Sequence, residues 1–278
     1  GPAPAADSGP ALGGLMFFNP REASDAPALT EALRAHGAAV VERPMIQFVP
    51  PATWAPFDKR LQALSAQDWV AFTSATAVRF TLQRMRQLKL PASGLAIARL
   101  AAVGKGTAAA LEGVELEVAV TPEKQQAEGL LAALKPALQP GDRVWLPRAE
   151  EGRESLSDGL RAAGFEVTMT PVYRTIPTTD GLGPVADALY GRKLDWLIFT
   201  SPSTAVNFFK LIPEGLQDQV VRGDLQNPAP RVACLGEVTA WAVRELGFRV
   251  HVVPQQQDIP GLVEAIVTMV RGAKSSIE

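Results

Sequence analysis

The chain has 278 residues, 47% hydrophobic and 20% charged, with a formal net charge of −2; this describes a globular protein with enough apolar chain for two domains and no electrostatic case for nucleic acid. A single cysteine, Cys234, excludes an intramolecular disulfide, and with only His36 and His251 no metal site is expected. No apolar run reaches the length of a membrane helix, so a cytoplasmic protein with no membrane partner is expected; a monomer is expected as well.

Residues 1–14 begin Gly-Pro and are rich in Ala, Pro and Gly, which predicts a tag remnant and a disordered tail. Residues 15–18 predict a strand, 19–22 a turn, 27–36 a helix closed by Gly37, and 38–41 a second strand. That is a βαβ unit, which needs parallel strands and a right-handed crossover. Residues 43–56 carry Pro44, Pro50, Pro51 and Pro56 around an extended stretch at 45–49, and predict a connector with edge-strand character and a hinge. Short strands are predicted at 69–72, 100–103 and 117–120, and a helix at 128–138. The later half gives strands at 143–146 and 166–169, a second extended connector at 170–178, strands at 196–199, 231–235 and 249–253, and a last helix at 261–270. The fold class is α/β, as two doubly wound parallel-sheet domains joined by a two-stranded linker.

The two halves are copies. DWLIFTSPSTAVNFF, from Asp195, is matched by DWVAFTSATAVRF, from Asp68, with Trp69, Thr73 and Ser74 standing 127 residues before Trp196, Thr200 and Ser201. The same offset relates Pro20-Arg21 to Pro147-Arg148, Gly37 to Gly164 and Pro44 to Pro171. Farther on, Gly104, Thr107 and Gly129 precede Gly236, Thr239 and Gly261 by 132 residues, so the second copy carries an insertion of five. Two chain paths fit: a plain tandem, or an exchange in which each early βαβ unit completes the sheet of the other copy.

Each copy of the repeated stretch reads as strand, turn and helix. Ser201 before Pro202 and Ser203 has the pattern of a helix N-cap, and Thr73-Ser74 is its counterpart; such turns leave backbone N–H groups free for an anion. Gly104, Lys105 and Thr107, and Gly236 with Thr239, open further helices after strands, where glycine lets an anion approach the backbone. Four such turns, two per copy, point to a cleft between domains. Neither a GxGxxG fingerprint nor a P-loop is present, which disfavours dinucleotides and nucleoside triphosphates. Arg21, Arg148 and Arg153 stand at strand or helix ends and suit carboxylates, with pairing to Glu22, Glu150 and Glu151 as the other reading. Tyr173, in the second connector, is a candidate proton or hydrogen-bond donor to a leaving group; the other reading is an aromatic packed on a domain edge. No nucleophile has a base beside it, so any catalysis works by positioning and electrostatics.

WVAFTSATAV, AAVGKGTAAAL, EGLLAAL, LPRAEEGRESLSDGLRAAGFEV followed by VYRT, FTSPSTAVNFF and ACLGEVTAWAVRELG, in this order from Leu15 onward, resemble the uroporphyrinogen-III synthase family. The resemblance implies the exchanged path, with a discontinuous first domain from 15–46 plus 175–278, a second from 50–170, and linker strands at 44–52 and 170–178. It also implies that the polycarboxylate hydroxymethylbilane is cyclised to uroporphyrinogen III in the cleft. Ring D inverts through a spiro intermediate and water is lost, without metal or organic cofactor. On this reading Tyr173 assists departure of water and Thr107, Ser201 and Thr239 bind substrate. Ala75-Thr76-Ala77 and Ser203-Thr204-Ala205 depart from the Asn-Ala or Gly-Val pair frequent in the family. The alternatives are a non-catalytic two-domain binding protein for a small anionic ligand and a regulatory α/β pair.

Overall fold

The computed structural model describes residues 9–224 and 226–276. In chain order, β1 (Met16–Asn19), α1 (Ala26–Arg34), β2 (Ala39–Glu42) and β3 (Ile46–Val49) lead to α2 (Ala55–Gln62), β4 (Asp68–Phe72) and α3 (Ala75–Gln87). A short 3-10 helix (Ala92–Ile97), β5 (Arg99–Ala102), α4 (Lys105–Glu112), α5 (Ala127–Ala137), β6 (Arg143–Ala149), α6 (Ser155–Ala162) and β7 (Glu166–Pro177) follow. The chain ends with α7 (Pro184–Tyr190), β8 (Trp196–Phe199), α8 (Pro202–Leu211), α9 (Glu214–Arg222), β9 (Arg231–Cys234), α10 (Glu237–Glu245) and α11 (Ile259–Ser275). It divides into two units, with boundaries between Gln47 and Phe48 and between Thr175 and Ile176.

The first unit, built from both ends of the chain, has the sheet order β2-β1-β8-β9. Every pairing is parallel, with Phe17 opposite Val40 and Trp196, and Trp196 opposite Arg231. Successive side chains of a strand point to opposite faces, so a strand covered on both sides must be apolar throughout. Trp196–Phe199 meets that demand. Leu197 and Phe199 join Phe18, Val232 and Cys234 beneath α7, α8 and α10, while Trp196 and Ile198 join Phe17 and Ala233 beneath α1 and α11.

The second unit has the order β3-β7-β6-β4-β5. The pairings of β4 with β5, β4 with β6 and β6 with β7 are parallel. Val70, Phe72, Leu100 and Trp145 pack one face against Phe57 of α2, Val78 of α3 and Leu111 of α4. Trp69, Ala71, Val144 and Leu146 pack the other against Leu130 of α5 and Leu160 of α6. Because β1 pairs with β8 and β4 with β6, each sheet combines strands of both copies, which excludes the plain tandem path.

Asp68 and Asp195 head the two copies of the repeated stretch. Fully buried Asp68 accepts from Arg60 at 2.6 Å, from Arg143 at 3.1 Å and from the Ser65 N–H at 2.7 Å. Burial pushes its carboxyl up, but the hydrogen bonds and the two guanidinium charges outweigh burial and hold it below the usual aspartate value. Asp195 accepts instead from the Met16 N–H at 2.8 Å, tying the starts of β1 and β8 together.

Several expectations are corrected. The tag remnant falls on residues 1–8, outside the described residues, but residues 9–14 are not a disordered tail: Leu12 is fully buried and its N–H donates to the His36 carbonyl at 2.8 Å. The strands expected at 117–120 and 249–253 are reduced to single bridges, Ala101 with Val120 and Ala233 with Val252. The strand expected to end at 169 runs on to Pro177 as β7. A register shift at Arg148/Ala149, opposite Pro171 and Tyr173, accommodates the proline that cannot donate to the ladder. Thr178 donates to the Met45 carbonyl at 3.0 Å, and Asn207 of α8 donates to the carbonyls of Met45 and Thr178, so a buried amide pins the end of this strand to the first unit.

Candidate functional site

Parallel strands bring all their carboxyl ends to one edge of a sheet, and the turns leaving that edge are where open α/β sheets take ligands. In the second unit this edge gathers Thr73 and Ser74 after β4, Gly104, Lys105 and Thr107 after β5, Arg148 and Arg153 at and after β6, and Tyr173 in β7. In the first unit it gathers Arg21 after β1, Ser201, Pro202 and Ser203 after β8, and Gly236 and Thr239 after β9.

The serines are N-caps. Ser74 Oγ accepts from the Ala77 N–H at 3.0 Å and Ser201 Oγ from the Thr204 N–H at 3.4 Å, which satisfies one free donor of each helix and leaves the rest of the first turn open. Ser203 Oγ lies 3.3 Å from Ser201 Oγ. Thr107 and Thr239 are buried in the first turns of α4 and α10, and neither helix has a side-chain cap, so the threonines do not cap them.

Gly104 and Gly236 precede α4 and α10 in extended conformation, which any residue adopts, so their reason for being glycine is space. A Cβ on Gly104 would stand 2.8 Å from Gln125 Oε1, and one on Gly236 2.9 Å from Gln257 Oε1. Both turns therefore carry an exposed glutamine lying against the backbone, and Gln125 and Gln257 are themselves 132 residues apart. Sequence reasoning missed this pair, although the repeat offset marks it.

The arginines differ from one another. Arg21 is half-buried, 4.0 Å from Asp25; burial pulls its guanidinium below the ordinary value while Asp25 acts the other way. Its N–H donates to Asn19 Oδ1, and the buried Asn19 amide donates to the Ala26 carbonyl and Thr30 Oγ1, fixing the turn. Arg148 folds back on its own loop, donating to the Arg153 carbonyl at 2.8 Å and the Ala149 carbonyl at 3.1 Å, and fills the space a side chain at Gly152 would need. It shapes the loop; Arg153 offers the exposed guanidinium.

Tyr173 stacks on Phe80 at 5.5 Å and meets Phe48 edge-on at 5.3 Å. Its carbonyl accepts from the Glu150 N–H at 2.8 Å. The ring is half-buried in an aromatic cluster of the second unit, and among the described residues the hydroxyl has no hydrogen-bond partner. Cys234 is fully buried and its thiol is pushed up to about 12 by burial foremost, which rules it out as a neutral-pH nucleophile. The His251 imidazole, held down by burial and by Arg249 and Arg231, accepts from the Val232 N–H at 3.0 Å within the sheet. Among the described residues no cluster of His, Cys, Asp and Glu has the makings of a metal site, and no helix is long and apolar enough to cross a membrane.

Two α/β units of exchanged connectivity, each presenting helix N-termini and an arginine at the carboxyl edge of its sheet, define an internally repeated two-unit α/β protein. The family model of uroporphyrinogen-III synthase HemD matches residues 27–264. The chain belongs to the uroporphyrinogen-III synthase family, enzymes of the lyase class acting in porphyrin biosynthesis. It is 30% identical over 254 residues to the uroporphyrinogen-III synthase of Synechococcus elongatus, covering 91% of this chain and 94% of that protein. The chloroplastic uroporphyrinogen-III synthase of Oryza sativa is 27% identical over 268 residues, covering 93% and 82%. The fold matches a mutant form of the uroporphyrinogen III synthase of Thermus thermophilus, with TM-score 0.57, 20% identity and coverage of 95% and 98%. It also matches the Helicobacter pylori enzyme, with TM-score 0.58, 18% identity and coverage of 92% and 99%.

Proposed function

We propose that this chain is a uroporphyrinogen-III synthase acting as a monomer on hydroxymethylbilane, and that the bilane lies in a cleft between the two units. The observation that carries the reading is the set of four repeat-related turns, at Ser74, Gly104, Ser201 and Gly236, each opening a helix at the carboxyl end of a parallel strand. The acetate and propionate arms of a linear tetrapyrrole are the anions such turns receive, through backbone N–H groups with Arg21 and Arg153 beside them.

The reacting groups are all in the substrate. Loss of the terminal hydroxyl as water leaves an azafulvene cation; attack on it by the substituted carbon of ring D gives the spiro intermediate. Fragmentation and reclosure then deliver ring D inverted. On this reading the protein holds the bilane so that the substituted carbon attacks, and the Tyr173 phenol donates a hydrogen bond to the departing hydroxyl. No covalent enzyme intermediate, metal or organic cofactor is required.

The test is to supply freshly generated hydroxymethylbilane, oxidise the products and separate uroporphyrins I and III by chromatography against an enzyme-free control. A dominant III isomer is expected. Only the spontaneous I isomer, from folded protein, would overturn the reading in favour of a non-catalytic binding protein for a small anion.

A further inference from the structure

The two sheet edges are copies of each other, and the bilane is itself a row of similar pyrroles. A site built from a repeat tells the two ends of such a molecule apart only through what its copies do not share. The clearest difference lies on the helices that open after Gly104 and Gly236. Val238 and Trp241 on α10 are 61% and 65% exposed, the most exposed of the large apolar side chains among the described residues. Their counterparts 132 residues earlier, on α4, are Gly106 and Ala109.

Val238 and Trp241 are three apart and share a helix face. Helical side chains lean toward the N-terminus, which carries the Trp241 indole back over Val238 toward the turn at Gly236. The opposite face of α10 anchors the helix through Thr239, Ala240 and Val243, all buried. Glu237, the one carboxylate in the first turn, is answered within the helix by Arg244 at 3.6 Å.

Building on the synthase reading, we propose that Val238 and Trp241 form an apolar platform for the face of one pyrrole ring, beside the turn that receives that ring's carboxylate. The platform makes the first unit's edge a ring-binding site that the second unit's edge lacks, and so sets the direction in which the bilane lies. The occupant must be flat and apolar on its faces with anionic arms, because the platform is continuous with an N–H turn; a pyrrole with acetate and propionate arms has that chemistry.

Trp241 is the one exposed tryptophan among the described residues, which makes it its own probe. Acrylamide quenching of tryptophan emission is measured with and without uroporphyrinogen III, kept reduced, and steady-state constants for hydroxymethylbilane are compared for the wild type, Trp241→Ser and Trp241→Phe. Product is expected to protect the quenchable fraction, Trp241→Ser to raise KM roughly five- to ten-fold with little change in kcat, and Trp241→Phe to restore most of the loss. Unchanged quenching at saturating product, or an unchanged KM for Trp241→Ser, overturns the platform while leaving the synthase reading intact. Protection that depends on protein concentration without product overturns it in favour of a self-association surface. A wild type that forms no III isomer removes the synthase reading, and the platform with it.

Discussion

Replacing Asp68 with alanine should strip the second unit of the anchor for the start of its central strands. Arg60 and Arg143 would lose their shared carboxylate, and the Ser65 N–H its acceptor. Breaking a buried ion pair by removing one partner costs about 3–5 kcal/mol. The two guanidinium groups keep side-chain exposures of 11% and 32% and regain some water, which puts the cost near the lower end, ~3 kcal/mol. In a unit of this size that corresponds to a fall in Tm of roughly 10 °C. Asp68→Asn, which keeps one acceptor, should lose about half as much. The sign of the pH dependence follows from the depressed carboxyl. Its contribution is full above the unfolded aspartate value and is lost as the pH falls through the folded value, so the gap between wild type and Asp68→Asn should stay constant near neutrality and close below pH about 4. Thermal melts followed by near-UV circular dichroism suit the purpose, because Arg60 lies over the buried Trp145 ring at 5.6 Å. A Tm for Asp68→Ala within about 2 °C of wild type would refute the reasoning.

Three further outcomes follow from the same geometry. Gly129→Ala and Gly261→Ala would each place a Cβ 2.1 Å from a backbone carbonyl, of Lys124 and Gln256, and should each cost upward of ~2 kcal/mol in urea unfolding; Gly104→Ala and Gly236→Ala meet only the movable ends of Gln125 and Gln257, should cost under ~1 kcal/mol, and should act chiefly on KM. Cys234, with its thiol pushed up to about 12 inside the core, should resist Ellman's reagent at pH 8 in the native state and react fully in denaturant, read at 412 nm. Tyr173→Phe keeps the stacking on Phe80 and should leave Tm within about 2 °C while lowering kcat ~10²-fold or more; an unchanged kcat would remove the phenol from the mechanism.

Strands buried on both faces were legible because two-sided burial demands an unbroken apolar run, and Trp196–Phe199 has the same bounds in the sequence reading and in the structure. The stretches at 117–120 and 249–253 look similar, yet charged Glu117, Arg249 and half-buried His251 belong to an open sheet edge where the backbone touches its neighbour at a single bridge. Helices α2, α7 and α9 went unnamed because they are short and proline-led or polar: α2 buries only Phe57. At the candidate site, the turns were visible through the repeat, but what surrounds them was not. That Arg148 is occupied by its own loop, and that the Tyr173 ring stacks on Phe80 and meets Phe48 edge-on, depends on residues that no local pattern connects.

The exchanged path also sets an order of assembly during synthesis. The second unit is one uninterrupted run, complete once Thr175 has been made. The strand β1 pairs with nearby β2, but its other neighbour in the first unit, β8, is far downstream, with 179 residues separating Met16 from Asp195. Until then the βαβ unit carrying Phe17 and Phe18 has only its own two strands, and the other edge of β1 must wait, apolar and unpaired, while a whole neighbour folds.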